Sequence, residues 1–277
     1  MPAGTDILTM HGIMKIALVQ SGIVWGDVTA NLRRFGEKVE RCGGCDIILL
    51  PEMFASGGMT AKGDREKAAA EKRRAAERFG EIRETMQSWA SRSGAVVCGS
   101  AACETEGSYY NRLIVARPGE GCLYYDKRHC FRMGGENEHF SAGSRHLDFE
   151  FRGVRISTFI CYDLRFPVWS RNTRGYDVAV YVANWPASRR EVWRTLLRAR
   201  AVENQAFVAG VNCVGRDGSG VAYAGDSMVV DAGGRVLVSG QEYREEVVTA
   251  ECDMSALRES RRRFPVLDDR DRFDVRV

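Results

Sequence analysis

The 277-residue chain has no apolar run long enough to cross a bilayer. Its longest runs, such as Asp177–Ala183, fall far short of the roughly 20 residues that a spanning helix requires. Charge of one sign is not in excess either: 40 basic and 37 acidic residues are intermixed, for a formal net charge of +3. That balance gives no reason to expect nucleic acid or a membrane surface as partner. No segment matches the Walker or dinucleotide fingerprints, which argues against nucleotide-phosphate chemistry. Linkers rich in Pro, Gly or Ser and repeats of fixed period are also missing. A single domain over residues 13–277 is therefore expected, preceded by a flexible extension over residues 1–12, with Met14 a possible natural start. That extension lacks both a basic start and a long apolar run, so it does not read as a signal peptide. Nine cysteines are an odd number in a chain too large to need stapling, which points to free thiols in a reducing compartment, the cytoplasm. Cys42-Gly-Gly-Cys45 has the spacing of half a zinc site, but Cys98 and Cys103 do not form a matching second pair, so no metal is expected.

What is present is a large apolar complement, 44% of residues, distributed with two periods. Lys15–Gln20 and Asp46–Leu50 read as strands, with an amphipathic helix over Asn31–Arg41 between them. Arg65–Ser93 reads as one helix whose narrow apolar stripe is Phe79, Ile82, Met86 and Trp89. Strands are expected at Ala95–Ala102, Asn111–Ala116 and Cys122–Asp126, and a hairpin pairs Leu147–Phe151 with Val154–Ile160 across Arg152-Gly153. Asp177–Ala183 reads as a strand buried on both faces. Ser188 and Glu191 have the spacing of a capping box for a helix that turns Val192, Trp193, Leu196 and Leu197 inward. Phe207–Asn212, Ser227–Asp231, Arg235–Ser239 and Glu246–Glu251 complete the strands. The pattern is that of a layered α/β protein, best accommodated by two sheets packed face to face and covered by helices.

Three sites share one grammar, an apolar strand running straight into an unusual polar residue. They are Glu52 after Leu49-Leu50-Pro51, Lys127 after Tyr124-Tyr125-Asp126, and Cys161 after Phe159-Ile160. In layered α/β proteins ligands gather at the carboxyl ends of strands, where such residues can converge. A thiol at a strand-to-helix turn is exposed to substrate, and a helix dipole with a nearby ammonium favours its thiolate. A carboxylate can relay protons between thiol, leaving group and water, and an ammonium can balance an oxyanion. Acyl transfer requires each of those roles. Read singly, each residue also has a plain reading: a core cysteine, a helix-capping glutamate, a solvated lysine. His129 and His139 lie close in sequence to the lysine and keep a Cys–His pair open as a rival.

Leu-Pro-Glu-Met-Phe at 50–54, Tyr-Asp-Lys-Arg-His at 125–129 and Cys-Tyr-Asp-Leu-Arg-Phe-Pro at 161–167 together resemble the Glu, Lys and Cys signatures of the nitrilase superfamily. The resemblance runs from about Ile16 to about Pro265. It implies a four-layer αββα sandwich, a homodimer formed through the region after the nucleophile, and no cofactor. It implies Glu52 as general base, Lys127 as oxyanion stabiliser, Cys161 as nucleophile and Glu136 as a supporting glutamate, with Glu138 the nearby alternative. The loop from Lys127 to Gly143 and the segments Cys161–Asn172, Tyr181–Pro186 and Arg198–Gly210 are similar to those of bacterial omega-amidases. That branch implies cleavage of the terminal amide of a small 2-oxo dicarboxylic acid monoamide. The substrate's carboxylate calls for a cation, for which Arg132 and Arg165 are the candidates, while Tyr162, Trp185 and Phe54 are expected to wall the pocket. Gly58 departs from the pattern where relatives tend to carry an aromatic residue, and Cys130 replaces an apolar residue beside the lysine. Nitrile or N-carbamoyl hydrolysis, general aliphatic amide cleavage and a non-catalytic scaffold remain the competing expectations.

Overall fold

The structure, a computed structural model, describes residues 12–58 and 65–277. The expected extension over residues 1–12 lies, but for Gly12, outside the described residues. Along the chain come β1 (Ile13–Gln20), α1 (Val28–Glu40), β2 (Ile47–Leu49), α2 (Arg65–Glu77), α3 (Phe79–Ser93), β3 (Val96–Thr105), β4 (Ser108–Arg117) and β5 (Gly121–Asp126). Then follow β6 (Asp148–Phe151), β7 (Val154–Ile160), α4 (Pro167–Ser170), β8 (Val178–Ala183), α5 (Arg190–Asn204) and β9 (Phe207–Asn212). The chain closes with β10 (Val214–Arg216), β11 (Ala222–Ala224), β12 (Met228–Val230), β13 (Val236–Ser239), β14 (Glu246–Asp253) and α6 (Met254–Arg263).

Two six-stranded sheets result, ordered β14-β1-β2-β3-β4-β5 and β13-β12-β9-β8-β7-β6. Each has a parallel centre, β1-β2-β3 in the first and β7-β8-β9 in the second, with antiparallel flanks. The period of two along a strand explains the layering. Ile16 and Leu18 of β1, Ile47 and Leu49 of β2, and Val96 and Cys98 of β3 point into the core shared with the second sheet. Their alternates Ala17, Val19, Ile48 and Val97 point outward, onto Phe35 of α1 and Ile82, Met86 and Trp89 of α3. Helix α5 covers the second sheet through Trp193 and Leu197, giving the four layers αββα. No described helix is long and apolar enough to cross a membrane.

Two expectations are corrected. Arg65–Ser93 is two helices broken at Arg78, because every large apolar residue of the stripe lies after the break. α2 has only alanines such as Ala68 and Ala76 to bury, so it follows a different surface. The capping box at Ser188 does not form: a 3-10 turn over Ala187–Arg189 precedes α5, whose N-cap is Arg189 without a side-chain cap. The β10–β11 hairpin and α6 were absent from the sequence reading. The hairpin at Arg152-Gly153 forms as expected, both residues taking positive φ, as a two-residue turn of that hand requires.

Gly210 of β9 shows how closely α5 lies on the sheet, since a Cβ there would stand 2.7–2.8 Å from Leu197 and Trp193. Gly210→Ala is expected to cost about 1–3 kcal/mol through overpacking. Urea unfolding should show a lower midpoint at unchanged slope, and a wild-type midpoint would mean that α5 is free to shift.

Candidate active site

Glu52, Lys127 and Cys161 each leave the carboxyl end of a strand, β2 and β5 in the first sheet and β7 in the second. Packing of the two sheets brings these ends together at a cavity of about 250 Å³ that all three line. The Glu52 amide donates to the Ala183 carbonyl at the end of β8 (3.4 Å), one of the links between the sheets at this point.

Lys127 is 2% exposed, and its ammonium is held entirely by carboxylates: Glu52 Oε1 at 2.7 Å and Glu136 Oε1 and Oε2 at 2.9 and 2.8 Å. Burial disfavours its charge, but Glu136 and Glu52 override that effect and hold the ammonium well above its usual range. It is therefore a fixed positive charge. Asn111, at the centre of β4, donates from Nδ2 to both Glu52 Oε1 (2.8 Å) and Glu136 Oε1 (3.2 Å). Glu52 Oε2 accepts from the Asn184 amide (2.9 Å), and Glu136 Oε2 from the Phe131 amide (2.6 Å). Of the two glutamates in the loop, Glu136 is the one that reaches the lysine.

Cys161 opens a short 3-10 turn over Cys161–Arg165 and has φ of +45°, a left-handed conformation that costs a non-glycine residue of order 1–3 kcal/mol. The sharp turn aims the side chain into the cavity. One expectation is overturned here. Burial pushes the thiol well above its usual range and the Glu52 charge acts the same way, against the opposing pull of Lys127. Five residues of 3-10 helix supply little dipole, so the resting group is a neutral thiol.

Two buried contacts fix the turn from behind. Asp163, fully buried, accepts from Tyr125 Oη (2.7 Å) and the Ile160 amide (3.0 Å) through Oδ2. Its Oδ1 accepts from the His129 amide (3.0 Å) and faces His129 Nδ1 at 2.8 Å. One carboxylate thus ties the loop after Lys127 to the turn carrying Cys161. Arg200 of α5 donates to the Leu164 carbonyl at 2.6 Å. The Cys–His rival has no geometry, because the His129 ring is stacked on Phe166 (3.7 Å) and engaged by Asp163, and neither His129 nor His139 lines the cavity.

Of the expected pocket residues, Tyr162, Arg165 and Trp185 line the cavity, and Arg165 lies over the Trp185 ring at 5.2 Å. Phe54 does not. It is fully buried in the outer core of the first sheet, edge-on to Phe35 at 5.3 Å, because the turn after β2, with Met53 at positive φ, carries it to that side. Arg132 is exposed and does not line the cavity either, since the 3-10 turn at Arg132–Gly134 directs it outward. At Gly58 the wall is supplied from elsewhere: Trp25 lines the same cavity, 3.6 Å from where a Gly58 Cβ would lie. Cys130 packs partly buried against Met53, Ala76, Ala102 and Phe140. Sequence reasoning missed Asn111, Asn184, Asp163 and Arg189. The only sequence signal for Asn111 is an amide at the edge of an apolar strand.

Comparison with known proteins agrees with this architecture. The chain is 44% identical over 260 residues to an omega-amidase of Escherichia coli K12, YafV, covering 94% of this chain and 98% of that one. It is 36% identical over 261 residues to a 2-oxoglutaramate amidase of Bacillus subtilis, with 92% and 96% covered. A solved CN-hydrolase superfamily protein from Xanthomonas campestris, which carries an arsenic adduct in its active site, superposes with a TM-score of 0.88 at 40% identity. That match covers 95% of this chain and 99% of the other. Residues 15–262 match the family model for carbon-nitrogen hydrolases, and with strand ends, layers and relatives in agreement, the chain belongs to that family, within the nitrilase superfamily.

Proposed function

We propose that this protein is an omega-amidase, hydrolysing the terminal amide of a 2-oxo dicarboxylic acid monoamide such as 2-oxoglutaramate or 2-oxosuccinamate to the 2-oxo acid and ammonia. The observation that carries the reading is the convergence of Cys161, Glu52 and Lys127 on one cavity that also holds Arg165. Identity of 44% to a protein named omega-amidase supports the substrate class.

In this reading the neutral Cys161 thiol attacks the amide carbonyl carbon as Glu52 takes its proton, forming a C–S bond. Glu52 Oε1 already accepts from both Lys127 and Asn111, whereas Oε2 accepts only from the Asn184 amide and keeps a lone pair for the proton. The Lys127 ammonium balances the oxyanion of the tetrahedral intermediate, where fixed charge acts with little reorganisation. Collapse breaks the C–N bond, and Glu52 returns the proton to the departing ammonia. A water deprotonated by Glu52 then attacks the thioester, and breaking the C–S bond restores the thiol. Glu136 keeps Lys127 in position, and Tyr162, Trp185 and Arg165 hold the substrate. No cofactor enters the scheme. Nine free cysteines support a reducing compartment such as the cytoplasm. Exposed Val168, Val202 and Phe264 support a homodimer formed through the region after the nucleophile, to be checked by light scattering.

Cys161→Ser is expected to lower kcat on 2-oxoglutaramate by roughly 10³-fold or more. Full ammonia release by that variant would remove Cys161 from the mechanism. Lys127→Met should cost about 10²–10³-fold in kcat and also lower thermal stability, because it leaves the buried Glu52 and partly buried Glu136 carboxylates without their counter-charge. Retained activity would exclude the oxyanion role. The raised thiol pKa sets a third expectation: alkylation of Cys161 by iodoacetamide should keep accelerating through pH 9, because the thiolate fraction still grows there. A plateau below pH 8 would indicate a resting thiolate instead. A preference for nitriles or N-carbamoyl amino acids over 2-oxoglutaramate would overturn the substrate assignment.

A further inference from the structure

The cavity contains a second arginine with no assigned role. Arg189, in the 3-10 turn before α5, lines it from a different element than Arg165 and lies over the Phe131 ring at 5.3 Å. Phe131 in turn meets Tyr162, the neighbour of the nucleophile, edge-on at 5.0 Å. Each guanidinium thus lies over an aromatic ring, Arg165 over Trp185 and Arg189 over Phe131. Neither makes an ion pair among the described residues. A guanidinium held over a ring and not in an ion pair keeps N–H donors available for oxygen acceptors.

Among the described residues, the other charges in the cavity are already committed. Lys127 is held by Glu52 and Glu136. Asp217, also in the wall, accepts at Oδ1 from the Ser219 and Val221 amides and at Oδ2 from Tyr223 Oη. Two uncommitted cations in one small cavity exceed what a single carboxylate needs, because one arginine can bind it with both oxygens.

We propose that Arg189 is a specificity-determining residue that, together with Arg165, reads the 2-oxo-carboxylate end of the substrate. One guanidinium takes the carboxylate and the other donates to the adjacent oxo oxygen. This rests on the omega-amidase reading and extends it. The arrangement favours a 2-oxo acid over its deoxy analogue, which lacks the second acceptor. It disfavours the 2-amino counterpart more strongly, because an ammonium would face two guanidinium groups.

The experiment measures kcat/KM of the wild type, Arg189→Met and Arg189→Lys on 2-oxoglutaramate, glutaramic acid, L-glutamine and butanamide. In Arg189→Met the ratio of kcat/KM for 2-oxoglutaramate to that for butanamide should fall roughly 10- to 100-fold. The preference for 2-oxoglutaramate over glutaramic acid and over glutamine should shrink with it. Arg189→Lys, which keeps the charge but not the fork, should lie between the two and serves as the check should the methionine variant fold poorly. Equal losses on all four substrates would make Arg189 merely structural, and unchanged ratios in both variants would likewise overturn the assignment. A wild-type enzyme inactive on 2-oxoglutaramate would overturn the omega-amidase reading itself, and this inference with it.

Discussion

The site depends on one buried ammonium held between two carboxylates. Lys127 alone would be too costly to bury as a cation, and Glu52 and Glu136 too costly as anions. Their distances of 2.7–2.9 Å make each the condition for the others. The triad carries one negative charge in excess, which Asn111 partly offsets with hydrogen bonds to both glutamates. That excess, with burial, keeps the nearby thiol protonated. In the proposed scheme the nucleophile is therefore generated as it attacks, with Glu52 as the base.

Around the triad, a second set of contacts sets where the thiol stands. Asp163 joins the loop that carries the lysine to the turn that carries the cysteine, and Arg200 clamps the same turn to α5. These residues touch no reacting atom in the proposed scheme. They offset the positive φ at Cys161, which a loosely held turn would relax away from.

Much of this was legible in the sequence, and the failures have physical causes. Period-two alternation and glycine turns identify the strands well, because both faces of the first sheet are buried and each residue's layer follows from its parity. Glu52, Lys127 and Cys161 stood out because each interrupts an apolar strand end. Phe54 was misplaced because its neighbourhood in sequence, two residues from Glu52, says nothing about which face of the sheet it joins. Arg132 failed similarly, since a 3-10 turn directs side chains in a way that spacing does not reveal. Asn111 and Arg189 were invisible for the opposite reason: their importance lies in partners 25 to 59 residues away. The thiolate expectation erred because the length of the helix after Cys161 cannot be read from its first residue.

The origin of Glu52 and Lys127 in one sheet and of Cys161 in the other has a consequence for how the chain matures. Neither sheet alone contains a working set of groups, and local structure formed early in folding leaves the thiol without base or counter-charge. The proposed chemistry requires the two layers to be docked. In the proposed scheme catalytic competence therefore requires both sheets to be assembled, because the groups come from both.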